Sequence, residues 1–134
     1  MYQPLNTTLS KKIVLVTFFG LVSIIGLMIK LPPIFRTIDK EMHFLFYFFG
    51  AAFLNLLFGN GRFIPHLIIF AFLLCFGFVI EYAQEYSNRF FSKRIHGNFD
   101  YEDIKYNING LILFSSLWFF SVVFHYTFNK NLKN

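Results

Sequence analysis

Four stretches without a single Asp, Glu, Lys or Arg, at 13–29, 42–58, 63–80 and 108–128, dominate this chain and leave it few folds. Each is about 17–21 residues, which at ~1.5 Å per helical residue gives about 25–32 Å, the thickness of a bilayer's hydrocarbon core. Hydrocarbon offers the backbone no hydrogen-bond partner, so segments of this length close their own bonds as helices. They are too long for barrel strands and lack the alternation a barrel strand requires. The third stretch is expected to continue as helix past Glu81, giving spans at about 13–29, 42–58, 63–83 and 108–128. The turn Gly59-Asn60-Gly61-Arg62 separates the second from the third.

Composition agrees. Of the 134 residues, 56% are hydrophobic, 22% aromatic and 14% charged, against about 25% charged in a soluble domain. A soluble fold of this size needs that missing charge for its surface, and the hydrophobicity excludes disorder. A single cysteine, Cys75, excludes an internal disulfide, and no Cys/His spacing of the zinc-finger kind occurs. The twelve Lys and Arg, with a net charge of +5, are scattered rather than clustered, so no nucleic-acid partner is expected. Lys11–Lys12 before the first stretch resemble a signal peptide, but Leu31-Pro32-Pro33 follows where a small-residue cleavage site would stand. The first stretch is therefore a retained span. The expected fold is all-α, an integral membrane bundle of four transmembrane helices in one domain over 1–134, with the lipid bilayer as its first partner.

Four spans place both termini and the turn at Arg62 on one side. That side carries Lys11, Lys12, Arg62, Lys130 and Lys133 and no acid; all seven acids lie on the other, with Lys30, Arg36, Lys40, Arg89, Lys93, Arg94 and Lys105. The basic residues flanking the spans on the terminal side are unpaired and read as retention signals. The expected topology is multi-pass, with cytoplasmic termini.

The acidic side holds the chemistry. Asp39, His43 and Tyr47 are spaced i, i+4, i+8 and form one helical stripe descending into the membrane. Glu81 follows the fourteen uncharged, largely apolar residues from Leu67 to Ile80, where a carboxylate is costly unless paired or wetted; Gln84 shares its face, and Glu85 reads as solvated. Asp100, Asp103, Asn107 and Gly110 lead into the fourth span, and the glycine permits close helix approach. Each group alone reads as capping, snorkelling or interfacial anchoring. Three helix ends delivering such groups to one face read instead as a site. Cys75 reads as a small buried packing residue, and His66 and His125, near the opposite face, as interfacial.

The segments Asp-Lys-x-x-His-Phe-x-x-Tyr at 39–47, Glu-x-x-Gln at 81–84 and Asp-x-x-Asp-x-x-x-Asn-x-x-Gly at 100–110 resemble, in that order, the VanZ-like membrane proteins. The resemblance covers about residue 39 to the end. It implies a small multi-span bacterial envelope protein, in a family whose founder is associated with low-level teicoplanin resistance and whose reaction is unsettled. Relatives carry an arginine where this chain has Gly97; Arg94 is the nearest substitute.

Two main functions follow. In one, the polar pocket binds or masks a lipid-linked envelope precursor or a glycopeptide, with Lys40, Tyr47, Gln84, Arg94, Asp100 and Asn107 as binding residues. In the other, the chain is an enzyme acting on a lipid head group or lipid-linked precursor, with Asp39, His43, Glu81 and Asp103 as catalytic candidates. These would do acid–base work or hold a divalent metal whose identity the sequence leaves open, with Lys40 and Arg94 on a phosphate or carboxylate. Transport is disfavoured, since the first span has no ionisable residue between Ile13 and Ile29. A purely structural role, with the polar groups as interhelical glue, is the fourth reading.

Overall fold

A computed structural model describes residues 7–28, 34, 37–93, 96 and 98–131, with side chains as far as residue 128. Four helices make up the fold: α1 Leu9–Met28, α2 Asp39–Leu54, α3 Phe63–Ser87 and α4 Tyr101–Asn131. A π-helical turn, Asn55–Gly59, prolongs α2, and a 3₁₀ turn, Asn88–Phe90, prolongs α3. No strand occurs among the described residues. All four helices are long and apolar enough to cross a bilayer, and the chain is a membrane protein on that ground.

The helices run up and down in sequence, so α2 and α4 are parallel. They form the closest pair, in register from His43 beside Asn107 to Phe44 and Phe48 beside Gly110. Gly110 makes this possible: a Cβ there would fall on the Phe44 carbonyl oxygen and 3.2 Å from the Phe48 nitrogen. Between lipid-solvated helices such backbone proximity and interhelical polar contacts replace the hydrophobic effect as the source of association. The buried centre is Tyr47, Ala51, Leu54, Ile69, Leu73 and Leu111, from α2, α3 and α4.

Helix α1 lies outside this three-helix core. Ser23 is its one buried residue. The Phe19 ring stacks on Phe46 and tilts against Phe53, with centroids 5.7 and 4.9 Å apart. Its two ends are fastened by polar bonds. Lys12 Nζ donates to the Leu57 carbonyl and lies over the Phe58 ring, and Gln84 Nε2 donates to the Leu27 carbonyl at 2.7 Å. Lys12 is thus not an unpaired flanking cation. It satisfies a carbonyl at the C-terminal end of α2, where the helix dipole also favours a positive charge.

Two boundaries differ from the sequence expectation. Helix α1 begins before residue 13, and α4 begins at Tyr101 rather than near 108. Asp100 explains the second difference, because its Oδ1 accepts the Glu102 N–H at 2.8 Å and caps the helix. Asp103 and Asn107 therefore lie within α4. At ~1.5 Å per residue its 31 residues reach about 46 Å, well beyond a hydrocarbon core of about 30 Å. The expected turn is present: Asn60 and Gly61 both take left-handed conformations, at φ 50° and 64°, which suits an Asn-Gly pair.

Two further expectations are corrected. Cys75 is exposed on α3 and takes no part in the core. His66 is buried, not interfacial. Its Nδ1 bonds Asn55 Oδ1 at 3.0 Å, its Nε2 bonds Ser115 Oγ at 3.1 Å, and its ring stacks on Trp118 at 4.1 Å. Asn55 Nδ2 in turn donates to the Ala51 carbonyl. This network joins α2, α3 and α4, with its polar groups paired inside the protein. His125, by contrast, is exposed on α4. Replacing His66 with leucine is expected to lower the unfolding free energy by about 1–2 kcal/mol, the scale of interhelical polar contacts in membranes. Because Trp118 is the sole tryptophan, its emission should shift in the same variant. Unchanged stability and emission would mean that the network carries no load.

Candidate functional site

At the end of the bundle opposite the Asn60–Gly61 turn, α2, α3 and α4 bring polar side chains together. Helix α2 supplies Asp39, His43 and Tyr47 on one stripe, as their spacing requires. Asp39 opens the helix, and His43 and Tyr47 are buried. Helix α3 supplies Glu81, and α4 supplies Asp103 and Asn107. Glu81 is 2% exposed, Asn107 1% and Asp103 8%, so these groups are inside the protein and not snorkelling at its surface.

His43 and Asn107 form the hub. His43 Nδ1 lies 3.0 Å from Asn107 Oδ1. The amide oxygen only accepts, so Nδ1 donates and carries the hydrogen. Nε2 lies 3.9 Å from Asp103 Oδ2. That separation is too long for a hydrogen bond. Asp39, His43 and Asp103 each offer a ligand atom within 4.8 Å of the other two. The amide nitrogen of Asn107 lies toward Gly77 and the Tyr47 hydroxyl, where a Cβ on Gly77 would meet both at 3.0 Å. Gly77 leaves the space that these two side chains fill.

Glu81 Oε2 accepts the backbone N–H of Asp100 at 3.2 Å, which ties the start of α4 to α3. Three atoms of the cluster have no hydrogen-bond partner among the described residues: Tyr47 OH, Glu81 Oε1 and Asp103 Oδ1. A buried polar atom without a partner costs about 1–3 kcal/mol. Three of them, from three helices, stand at one place. Lys40 forms the rim, 3.9 Å from Glu102, which also lies 3.7 Å from Lys105.

Asp39, His43, Tyr47, Glu81, Asp100, Asp103 and Asn107 are thus gathered at one end, with Lys40 at their edge. Gln84 instead turns to α1 and bonds the Leu27 carbonyl, and Glu85 is exposed. Arg94 and Gly97, the positions bearing on the arginine expected from the family resemblance, lie outside the described residues. Sequence reasoning missed Gly77 and Glu102. Gly77 had a readable signal, since it precedes Glu81 by one helical turn on the same face. An apolar groove of about 360 Å³, lined by Val16, Leu54, Phe58, Pro65 and Phe72 among others, lies toward the turn end and takes no part in the cluster.

Comparisons with protein-family models, with curated proteins and with solved structures return no match.

Proposed function

We propose that the chain is a multi-pass protein of the bacterial inner membrane, with cytoplasmic termini, whose polar cluster binds or masks the head of a lipid-linked or glycopeptide-type ligand. The observation that carries this reading is the convergence of Tyr47 OH, Glu81 Oε1 and Asp103 Oδ1, all buried and unpartnered. Native proteins pair their buried polar atoms, and a ligand arriving at this end would supply the partners. Two of the three atoms belong to carboxylates and call for donors, which sugar hydroxyls, amines and peptide N–H groups provide. Lys40 at the rim suits a phosphate or carboxylate on the same ligand. The resemblance of the ordered motifs to those of VanZ-like proteins is what suggests an envelope setting and a link to teicoplanin-type resistance.

The test is saturable binding of a lipid-linked disaccharide–peptide precursor, or of teicoplanin, to the protein in nanodiscs. Binding is expected to weaken about tenfold or more in Glu81→Gln, the loss of one charge-assisted contact. No saturable binding of either probe to the wild type would sink the reading. The orientation is tested separately, by impermeant maleimide labelling of Ser92→Cys in a Cys75→Ala background. Labelling of intact cells agrees with cytoplasmic termini, and labelling only after lysis reverses them.

A second reading, an enzyme acting on the same head group, is favoured by one feature. His43 has its Nδ1 fixed by Asn107 and its Nε2 directed at a carboxylate, an arrangement suited to moving a proton. Mass analysis of the bound precursor separates the two: a chemical change establishes the enzyme, and Glu81→Gln with full turnover removes Glu81 from its mechanism.

A further inference from the structure

We infer that Asp39, His43 and Asp103 hold a divalent first-row transition ion, of the Mn2+ or Zn2+ class, at the buried end of α2 and α4. The inference rests on the reading above only in taking this cluster as the binding site.

Ligand atoms about 2.0–2.2 Å from one ion stand about 3.0–4.3 Å apart. The His43 Nε2 to Asp103 Oδ2 separation of 3.9 Å falls within that range. The whole trio lies within 4.8 Å, so it closes on one ion with adjustments of roughly half an ångström. The imidazole is prepared for the task. Its Nδ1–H is engaged by Asn107 Oδ1, which fixes the ring and turns Nε2 toward Asp103, the outer-shell arrangement that metal-ligating histidines show.

Two observations point to an ion rather than to a polar cluster paired within itself. The first is Glu81, 98% buried, with Oε1 unpartnered and with His43 and Asp103 among its electrostatic neighbours. The second is Asp103 Oδ1, also buried without a partner. Among the described residues, Asp39 and Asp100 stand within electrostatic reach of Asp103, Glu81 within reach of Asp103 and His43, and Lys40, the one ammonium acting on Asp103, is half-exposed and 3.9 Å from Glu102. A cation supplies the missing positive charge and takes up the carboxylate lone pairs together. One nitrogen with several carboxylate oxygens suits Mn2+ or Zn2+ better than Ca2+, which takes oxygens alone, or Mg2+, which keeps its waters.

The experiment uses the full chain in nanodiscs, stripped with EDTA and titrated with Mn2+ under electron paramagnetic resonance. One Mn2+ per chain is expected, with a nitrogen coupling from the His43 ring and displacement by Zn2+. His43→Gln and Asp103→Asn should each weaken binding at least tenfold, while exposed Glu85→Gln leaves it unchanged. Where a variant fails to fold, the nitrogen coupling of the wild type decides the matter by itself. Absence of stoichiometric binding, or bound Mn2+ without nitrogen coupling, overturns the inference. Precursor binding is measured with and without EDTA. Precursor binding by a chain that takes up no Mn2+ in the titration overturns the ion and leaves the ligand reading standing; Mn2+ binding without precursor binding does the reverse.

Discussion

Gly110→Ala is expected to lower the unfolding free energy of the bundle by about 2–3 kcal/mol, and Gly110→Val to abolish the folded state. The added Cβ falls on the Phe44 carbonyl oxygen and crowds the Phe48 nitrogen, which are backbone atoms and cannot rotate aside. Relief requires α2 and α4 to move apart, and overpacking of this kind costs about 1–3 kcal/mol before any polar contact is lost. Separation would also stretch the His43–Asn107 bond one turn away. The variants therefore join stability to the site, although neither alters a polar group. Denaturation in mixed micelles, followed by Trp118 emission, measures the effect. A Gly110→Ala protein within about 0.5 kcal/mol of wild type, the usual range for a neutral surface change, would show that α2 and α4 do not meet there.

Asn107→Leu is expected to destabilise the protein by about 1–3 kcal/mol by leaving the buried His43 Nδ1–H without an acceptor. The same substitution should reduce Mn2+ affinity about 10–100-fold, the range for losing an outer-shell partner. Without Asn107 Oδ1, the imidazole hydrogen is free to sit on Nε2, the atom that the ion requires. Asn107→Asp keeps an acceptor and should retain more of the affinity, even though a further buried carboxylate lowers stability. That opposite ordering separates control of the tautomer from simple loss of packing. Equal Mn2+ affinity in Asn107→Leu and wild type would remove Asn107 from the role.

The spans were legible because bilayer thickness converts directly into residue count, and Lys, Arg, Asp and Glu are costly enough in hydrocarbon to mark the edges. The stripe Asp39, His43, Tyr47 was legible for a local reason, the helical repeat, as was the close approach at Gly110. Tertiary direction was not. Glu81 and Gln84 share a helix face by spacing, yet one turns into the cluster and the other to the backbone of α1. Only the position of α1 distinguishes them. The His66 network was hidden because Asn55 and His66 look like isolated polar residues in apolar runs, and Ser115 is one of an adjacent pair of serines. A signal was present: Asn55 and His66 stand at equal distances on either side of the Asn60–Gly61 turn, and such residues meet across a helical hairpin.

The loose attachment of α1 has a consequence for biogenesis. It is made before the groups that hold its two ends, since the Leu57 carbonyl and the Gln84 amide come later in the chain. Until they emerge, α1 faces lipid without them. Its mean hydropathy of 1.9, with only Ser23 buried in the finished protein, is what makes that solitude tolerable. The docking of α1 thus trails its own synthesis by two helices.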